Sequence, residues 1–475
     1  MSDFVLAIDQ GTTGTKPHLL HIDGRFETLP GFEHKQILPQ PGWVEHDPEE
    51  LITHLEGCLA KAGPARAIGI ANQGETVVAW DAQTKRAIYH AIVWQDARTN
   101  DAIGALKEAG HEETTLARAG LPLDPYFSAS KLRWLLDNVD EATSLRRQGR
   151  LRLGTSDAFF LDRLAGIFAT DVTTASRTSL MNLETLAWDP VLCDLFGVPM
   201  ECLPQIRATA DDFGTIGKMP VTASVVDQQA ALFGHGCRKT GDAKITFGTG
   251  AFALCIAGDK PLRDVASGLL PTIAWRLRDA APAYALEGGV YNAASAVNWA
   301  RNLGLFADYA EIDSFASASA ISRGLAFVPA LSGLGCPYWD RSAAGMWLGL
   351  GLDTSKADMM QALLEGIALR AGEVIAAMSR LAPIGARISI DGGLAKNAYF
   401  GRFVADVLGR ETIIPASTEL TGLGTAQLAL IGAGLATIDT LPPPPAAKAR
   451  LAAGKLADEH RMKFHTAVSR SRNWR

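Results

Sequence analysis

The sequence predicts an α/β protein of two large domains, and three observations carry that reading. Strand and helix signals alternate along the chain, its 475 residues exceed what one hydrophobic core usually serves, and one strand–turn–strand unit occurs twice. Short β-like runs lie at residues 4–8, 67–71, 244–247, 252–257 and 387–390. Between them, Pro48–Ala62 and Lys356–Leu381 carry apolar residues at helical spacing, and Pro383 limits the second. Residues 442–445 are all proline and break the alternation, after which 446–465 reads as a terminal helix.

The repeated unit is Ala7-Ile8-Asp9-Gln10-Gly11-Thr12-Thr13-Gly14-Thr15, which returns as Ile245-Thr246-Phe247-Gly248-Thr249-Gly250-Ala251-Phe252. Each reads as a β-hairpin with a small-residue tip, and the pair suggests an internal duplication with its boundary near residue 236. A Gly/Thr tip lets backbone N–H groups approach an anion, and threonine hydroxyls add donors. Asp9 stands where a carboxylate could hold Mg²⁺, and Lys16 where a cation could face a phosphoryl group. One such hairpin is accounted for by turn geometry alone; one in each half favours a nucleotide cleft between domains. Asp391-Gly392-Gly393-Leu394-Ala395-Lys396-Asn397 adds a strand-to-helix turn whose amides suit a nucleotide. No G-x-x-x-x-G-K-[ST] loop and no G-x-G-x-x-G after a strand is present, which speaks against P-loop and Rossmann readings.

Composition narrows the class. A net charge of −6 offers no field for nucleic acid, and the basic groups at 146–152 and 470–475 read as a solvated helix face and a terminus. Six scattered cysteines without a C-x-x-C pair fit reduced thiols. No basic n-region precedes the first strand and no apolar run nears transmembrane length, so a soluble, cytoplasmic protein without membrane insertion is expected.

Further segments extend the pattern: Pro41-Gly42-Trp43-Val44-Glu45-His46-Asp47, Ala91-Ile92-Val93-Trp94-Gln95, Asp124-Pro125-Tyr126-Phe127-Ser128, Asp227-Gln228-Gln229-Ala230-Ala231-Leu232-Phe233-Gly234, Leu334-Gly335-Cys336-Pro337-Tyr338-Trp339-Asp340 and Gly422-Leu423-Gly424-Thr425-Ala426. Two longer signatures run from Tyr126 through Lys131 and Trp134 to Asn138, and from Gly345 through Gly349 and Asp358 to Glu365. With these the chain resembles, along essentially its whole length, the FGGY family of carbohydrate kinases, and within it the glycerol kinases. That family is built on the duplicated actin-like (ribonuclease H-like) ATPase fold, with an interdomain cleft. The resemblance implies ATP and Mg²⁺ as cofactors, a small polyol or sugar as acceptor, glycerol first among them, and a homo-oligomer.

Position by position, the resemblance implies that Asp9 and Asp227 take part in metal binding. Thr12, Thr13 and Lys16 would face the phosphates from an N-terminal domain at 1–236, and Gly248 and Thr249 from a C-terminal domain at 237–475. Gly393, Asn397 and Asn298, the last replacing a usual glutamine, would hold the adenine nucleotide. Glu75, Trp94, Tyr126, Asp227, Gln228 and Phe252 would surround the acceptor, with Asp227 as the base.

These residue types suit the chemistry. Phosphoryl transfer to an alcohol needs an in-line hydroxyl, neutralised phosphate charge and a place for the hydroxyl proton. Asp227 follows Val225-Val226 and opens a helix-like stretch, so it is either a plain capping residue or the base. A helix N-terminus favours the ionised carboxylate and predicts a weak base, to which the proton moves late in the transition state. Glu75 and Gln228 can accept from or donate to vicinal hydroxyls, and Trp94, Tyr126 and Phe252 can wall the carbons. Two departures stand out. Gly74 occupies the place of a usual arginine, which leaves room for a longer polyol or open-chain sugar, with Arg98 or a water supplying donors, or else leaves glycerol bound more weakly. Lys16 replaces another arginine and keeps charge without bidentate geometry. An actin-like ATPase would not need Glu75, Trp94 and Tyr126 around Asp227, and a silent polyol sensor would not need both Asp9 and Asp227.

Overall fold

The computed structural model describes residues 3–444 and 446–475. Pro445, the last of the proline run, lies outside the described residues. Two seven-stranded mixed sheets dominate. In the first, β1 (Phe4–Gln10), β2 (Gly14–His21), β3 (Phe26–Thr28), β4 (Ile68–Asn72) and β5 (Met219–Val226) run in the order β5-β4-β1-β2-β3. The second contains β6 (Ala243–Phe247), β7 (Ala251–Gly258), β8 (Leu270–Trp275), β9 (Ala283–Val290), β10 (Arg387–Asp391), β11 (Glu411–Pro415) and β12 (Ala447–Leu451), in the order β8-β9-β7-β6-β10-β11-β12.

The duplication read from the two hairpin tips extends to four strands in each sheet. β1 pairs antiparallel with β2 and parallel with β4, which pairs parallel with β5. β6 likewise pairs antiparallel with β7 and parallel with β10, which pairs parallel with β11. Central strands such as β1 bury Val5, Leu6, Ala7 and Ile8 without alternation, as expected where both faces of a sheet are covered.

Helices supply the cover. Asp47 caps α1 (Pro48–Ala62) by accepting from the Glu49 amide, with proline at the first turn, where its missing N–H costs nothing. α2 (Asp227–Gly234) follows β5, and α3 (Ala294–Asn302) follows β9. A Ser355–Asp358 capping box starts α4 (Lys356–Leu381), which is buried through most of its length. α5 (Ala398–Leu408), α6 (Leu420–Gly432) and α7 (Asp458–Ser471) complete the set used below.

α6 lies in the chain between β11 and β12 of the second sheet yet packs on β1, β4 and β5 of the first. There Leu420, Leu423, Ala426 and Leu430 share one apolar cluster with Val5, Ala7, Leu20 and Ala67. It also crosses α2 backbone to backbone. A Cβ on Gly424 would stand 1.9 Å from the Ala230 carbonyl oxygen, and one on Gly234 would stand 2.0 Å from that of Leu420. Only glycine permits this approach.

The stretch 446–465, expected as helix, is divided. Ala447–Leu451 pairs antiparallel with β11, alternating half-buried and exposed residues, and the helix occupies Asp458–Ser471 instead. The open edge of β11 offers backbone partners that outweigh the helical preference of an alanine-rich segment. The six cysteines are buried free thiols. In the basic 146–152 group, Arg146 pairs with Glu201 at 3.1 Å, and Arg150 and Arg152 pair with Asp81 and Asp162. Among the described residues no helix is long and apolar enough to cross a membrane.

Candidate active site

The first hairpin tip is closed by the Gly11 N–H donating to the Gly14 carbonyl at 2.9 Å. Asp9 sits at the end of β1, half-buried, and Thr12 accepts a 3.0 Å hydrogen bond from the Trp94 indole N–H, which ties the tip to the expected acceptor wall. The Thr13 carbonyl accepts from the His34 amide at 3.0 Å. Lys16 is exposed, with its ammonium 3.4 Å from Glu419 at the start of α6.

Asp227 is the first residue of α2, and its Oδ1 accepts from the Gln228 amide at 2.6 Å. Burial pushes its carboxyl up to about 6, against the pull of that amide and of Lys244. The weak base expected from the helix terminus is therefore corrected: desolvation outweighs the favourable amide, and the carboxylate is the stronger base. Asp9 is pushed up to about 7, by burial first and then by the charge of Asp227. Two carboxylates thus repel one another across one site, and such hard oxygen donors match Mg²⁺, which keeps waters and phosphate oxygens as its other ligands.

On the acceptor side, Trp94 and Tyr126 meet edge-on with ring centroids 5.6 Å apart. They share a cavity of about 570 Å³ with Phe252, Glu287, Trp339 and Arg341. Phe252 on β7 lies opposite Gly289 on β9, where a Cβ would approach its ring to 3.3 Å. Lys131 fixes the Tyr126 turn from beneath. Its buried ammonium donates to the carbonyls of Pro125 (2.9 Å), Tyr126 (2.7 Å) and Phe127 (2.9 Å).

Glu75 is buried with φ of 59°, and the Thr76 amide donates to the Gly74 carbonyl at 2.8 Å, forming a tight three-residue turn. A non-glycine residue there is strained and needs outside support. Arg177 supplies it, donating from Nε to Glu75 Oε1 at 2.7 Å. Burial pushes the Glu75 carboxyl up to about 7 despite this guanidinium. The donor role considered for Arg98 is corrected: its buried side chain is spent on Asp96 at 2.8 Å and Glu45 at 2.7 Å, over the Trp43 ring at 3.8 Å. At Gly74 the space is partly taken, since a Cβ would lie 2.6 Å from Val226 Cγ2.

In the second half, the Gly248 carbonyl accepts from Ala294 at 3.0 Å and the Thr249 carbonyl from Ala293 at 2.9 Å, tying that tip to the start of α3. Asn298, Gly393 and Asn397 come together around one cavity of about 590 Å³, with Tyr309 and Asp313. The Asn397 side chain is committed to its wall, accepting from the Phe400 amide and donating to the Ile312 carbonyl, each at 2.7 Å. Tyr309 donates to Asn298 Oδ1 at 2.9 Å.

Residues 4–234 match the N-terminal domain of the FGGY family of carbohydrate kinases, and residues 243–433 match its C-terminal domain. The chain belongs to the FGGY family of carbohydrate kinases. Glycerol kinase from Bdellovibrio bacteriovorus is 42% identical over 456 residues, covering 92% of each protein. Glycerol kinase from Paraburkholderia phytofirmans is 41% identical over 451 residues, 91% of this chain and 90% of that one. Among solved structures, Plasmodium falciparum glycerol kinase with ADP superposes with a TM-score of 0.90 at 30% identity, covering 98% of both chains. Xylulose kinase from Lactobacillus acidophilus gives 0.87 at 22% identity over 98% of this chain and 96% of that one, a likeness of fold. This FGGY kinase is accordingly a phosphotransferase acting on an alcohol group, built on the two-domain actin-like ATPase fold.

Several residues of this FGGY kinase site carried no recognisable pattern in the sequence. Arg177 belongs to no local motif, and Glu287 lies on an apolar strand 110 residues away from it. Lys244 gave one signal: a lone charge inside the otherwise uncharged strand Ala243–Phe247, fully buried.

Proposed function

We propose that this FGGY kinase transfers the γ-phosphoryl group of ATP to a terminal hydroxyl of glycerol, giving glycerol 3-phosphate and ADP. The observation that carries the reading is Asp227, a desolvated carboxylate whose charge acts on Asp9 of the first hairpin and which accepts from the Gln228 amide. Relatives named glycerol kinase, more than 40% identical over nine-tenths of the chain, support the choice of acceptor.

Asp227 accepts the hydroxyl proton as the O–P bond forms, when the alcohol becomes acidic enough for a carboxylate near pKa 6. Asp9 and Asp227 would hold Mg²⁺, which when bound neutralises phosphate charge. The amides and hydroxyls of Thr12 and Thr13 in the first tip and the second tip at Gly248 and Thr249 orient the phosphates, and Asn298, Gly393 and Asn397 form the adenine side. Trp94, Tyr126 and Phe252 exclude water, which would otherwise compete for the phosphoryl group. On this reading 1–236 holds the base, most acceptor residues and the first phosphate tip, and 237–475 adds Phe252, the second tip and the adenine side.

A second reading, a longer polyol or open-chain sugar, is favoured by the cavity of about 570 Å³ beside Tyr126. The test of both is ADP formation against a panel of polyols and sugars. Glycerol-dependent turnover above the water background is expected; its absence for every acceptor overturns the kinase reading.

A further inference from the structure

We propose that Lys244 is a positioning residue that fixes the Gln228 carboxamide so that its NH₂ group, and not its carbonyl, faces the acceptor alcohol. The inference rests on the acceptor role of Gln228 in the reading above and adds the direction of its hydrogen bond.

Lys244 lies on β6 of the second sheet, fully buried, and Gln228 is the second residue of α2, beyond the first sheet. The lysine ammonium stands 2.7 Å from Gln228 Oε1 and 2.9 Å from Thr246 Oγ1. An ammonium has three N–H donors and no acceptor, so the amide atom it meets must be the carbonyl oxygen. An NH₂ group in that place would set donor against donor beside a buried ammonium. The amide orientation therefore follows from charge. A charge-assisted bond of this kind also holds its geometry more firmly than a neutral one.

What remains of Gln228 for a ligand is its pair of N–H donors. The two carboxylates nearby, Asp227 and Glu75, accept when ionised. A hydroxyl needs both services: its hydrogen goes to a carboxylate and its oxygen receives an N–H. Lys244 thus gives the site the donor its acidic members lack, and it does so across the two halves, so Gln228 is held in its donating orientation only when β6 and α2 are apposed.

Gln228→Glu decides between the two orientations because a carboxylate keeps the contact to Lys244 and loses both donors. The expected result is an acceptor KM raised at least about tenfold with the ATP KM within about twofold, since one lost hydrogen bond to a ligand is worth roughly a factor of ten. An acceptor KM equal to wild type would mean that Gln228 does not donate, and overturns the proposal. Lys244→Met should raise the acceptor KM in the wild-type background and change it less than about twofold in a Gln228→Leu background. Effects that multiply independently overturn it as well. Should Lys244→Met fail to fold, Gln228→Glu compared with Gln228→Leu carries the test, with equal acceptor KM increases expected and a selective rescue by Glu overturning it. Wild-type enzyme without acceptor-dependent ADP release overturns the functional reading instead, so the two failures are distinguishable.

Discussion

Arg177 joins the two halves of the molecule through Glu75: its Nε donates to Glu75 Oε1 at 2.7 Å while the same guanidinium donates to Glu287 Oε1 on β9 at 3.1 Å. All three side chains are buried. One cation faces two carboxylates, and one of them, Glu75, sits on a strained backbone; on the proposed reading, in which Glu75 meets the acceptor, the bridge couples the approach of the halves to the acceptor site.

Breaking the bridge should show this. Arg177→Lys keeps the charge but loses the fork, and an acceptor KM raised about tenfold with a smaller change in ATP KM is expected. Arg177→Met leaves two buried carboxylates unpaired and should cost about 3 kcal/mol of stability, visible as a fall in Tm. Steady-state kinetics with each substrate varied, and thermal unfolding, check both. Equal changes in the two KM values would remove the acceptor pocket from the account.

Asp227→Asn should retain glycerol binding by calorimetry while kcat falls by about three orders of magnitude or more, because the amide cannot take the hydroxyl proton. Near-normal turnover would falsify the assignment of the base.

Gly74→Arg alone should lower Tm, since the new Cβ meets Val226 at 2.6 Å. Val226→Gly in the same chain should relieve that contact. If the glycine is a specificity determinant, the double variant lowers the glycerol KM and narrows the acceptor range, while the single variant mainly loses stability. An acceptor panel run on both settles it.

Two groups should oppose each other in the pH dependence of stability. Burial lowers His46 to about 4, below its unfolded 6.5, so between these values the unfolded chain binds more protons and stability rises with pH. Glu75, raised by burial to about 7 from 4.5, does the reverse: its contribution is lost as pH rises through that window. His46→Asn should therefore lessen the loss of Tm on acidification from pH 6.5 to pH 4, and Glu75→Gln should lessen the loss from pH 4.5 to pH 7. Thermal melts across this range measure both slopes, and unchanged slopes contradict the shifts.

Much of this was legible in the sequence because it is locally encoded. Pro48 after Asp47, and Ser355 with Asp358, mark the helix starts to the residue, and the Gly/Thr tips mark both hairpins. Asn298, Gly393 and Asn397, which the resemblance expects on the nucleotide side, line one cavity. Arg177, Glu287 and Lys244 were not legible, because their meaning lies in partners far along the chain: Glu75 is 102 residues from Arg177. Burial of Asp227 was illegible for a related reason, since a helix start is visible in sequence and the desolvation that opposes it is not. The final strand failed in the same way, its state being set by the free edge of β11 rather than by its own alanines.

The seam between α2 and α6 bears on how the protein is made. Leu420–Gly432 covers Val5, Ala7 and Ala67, so the first-synthesised half lacks part of its own lining until the ribosome has released the segment that begins at Leu420. Nascent chains must keep that greasy face shielded in the interim, and a truncated product ending near residue 236 would emerge sticky rather than as a free-standing unit.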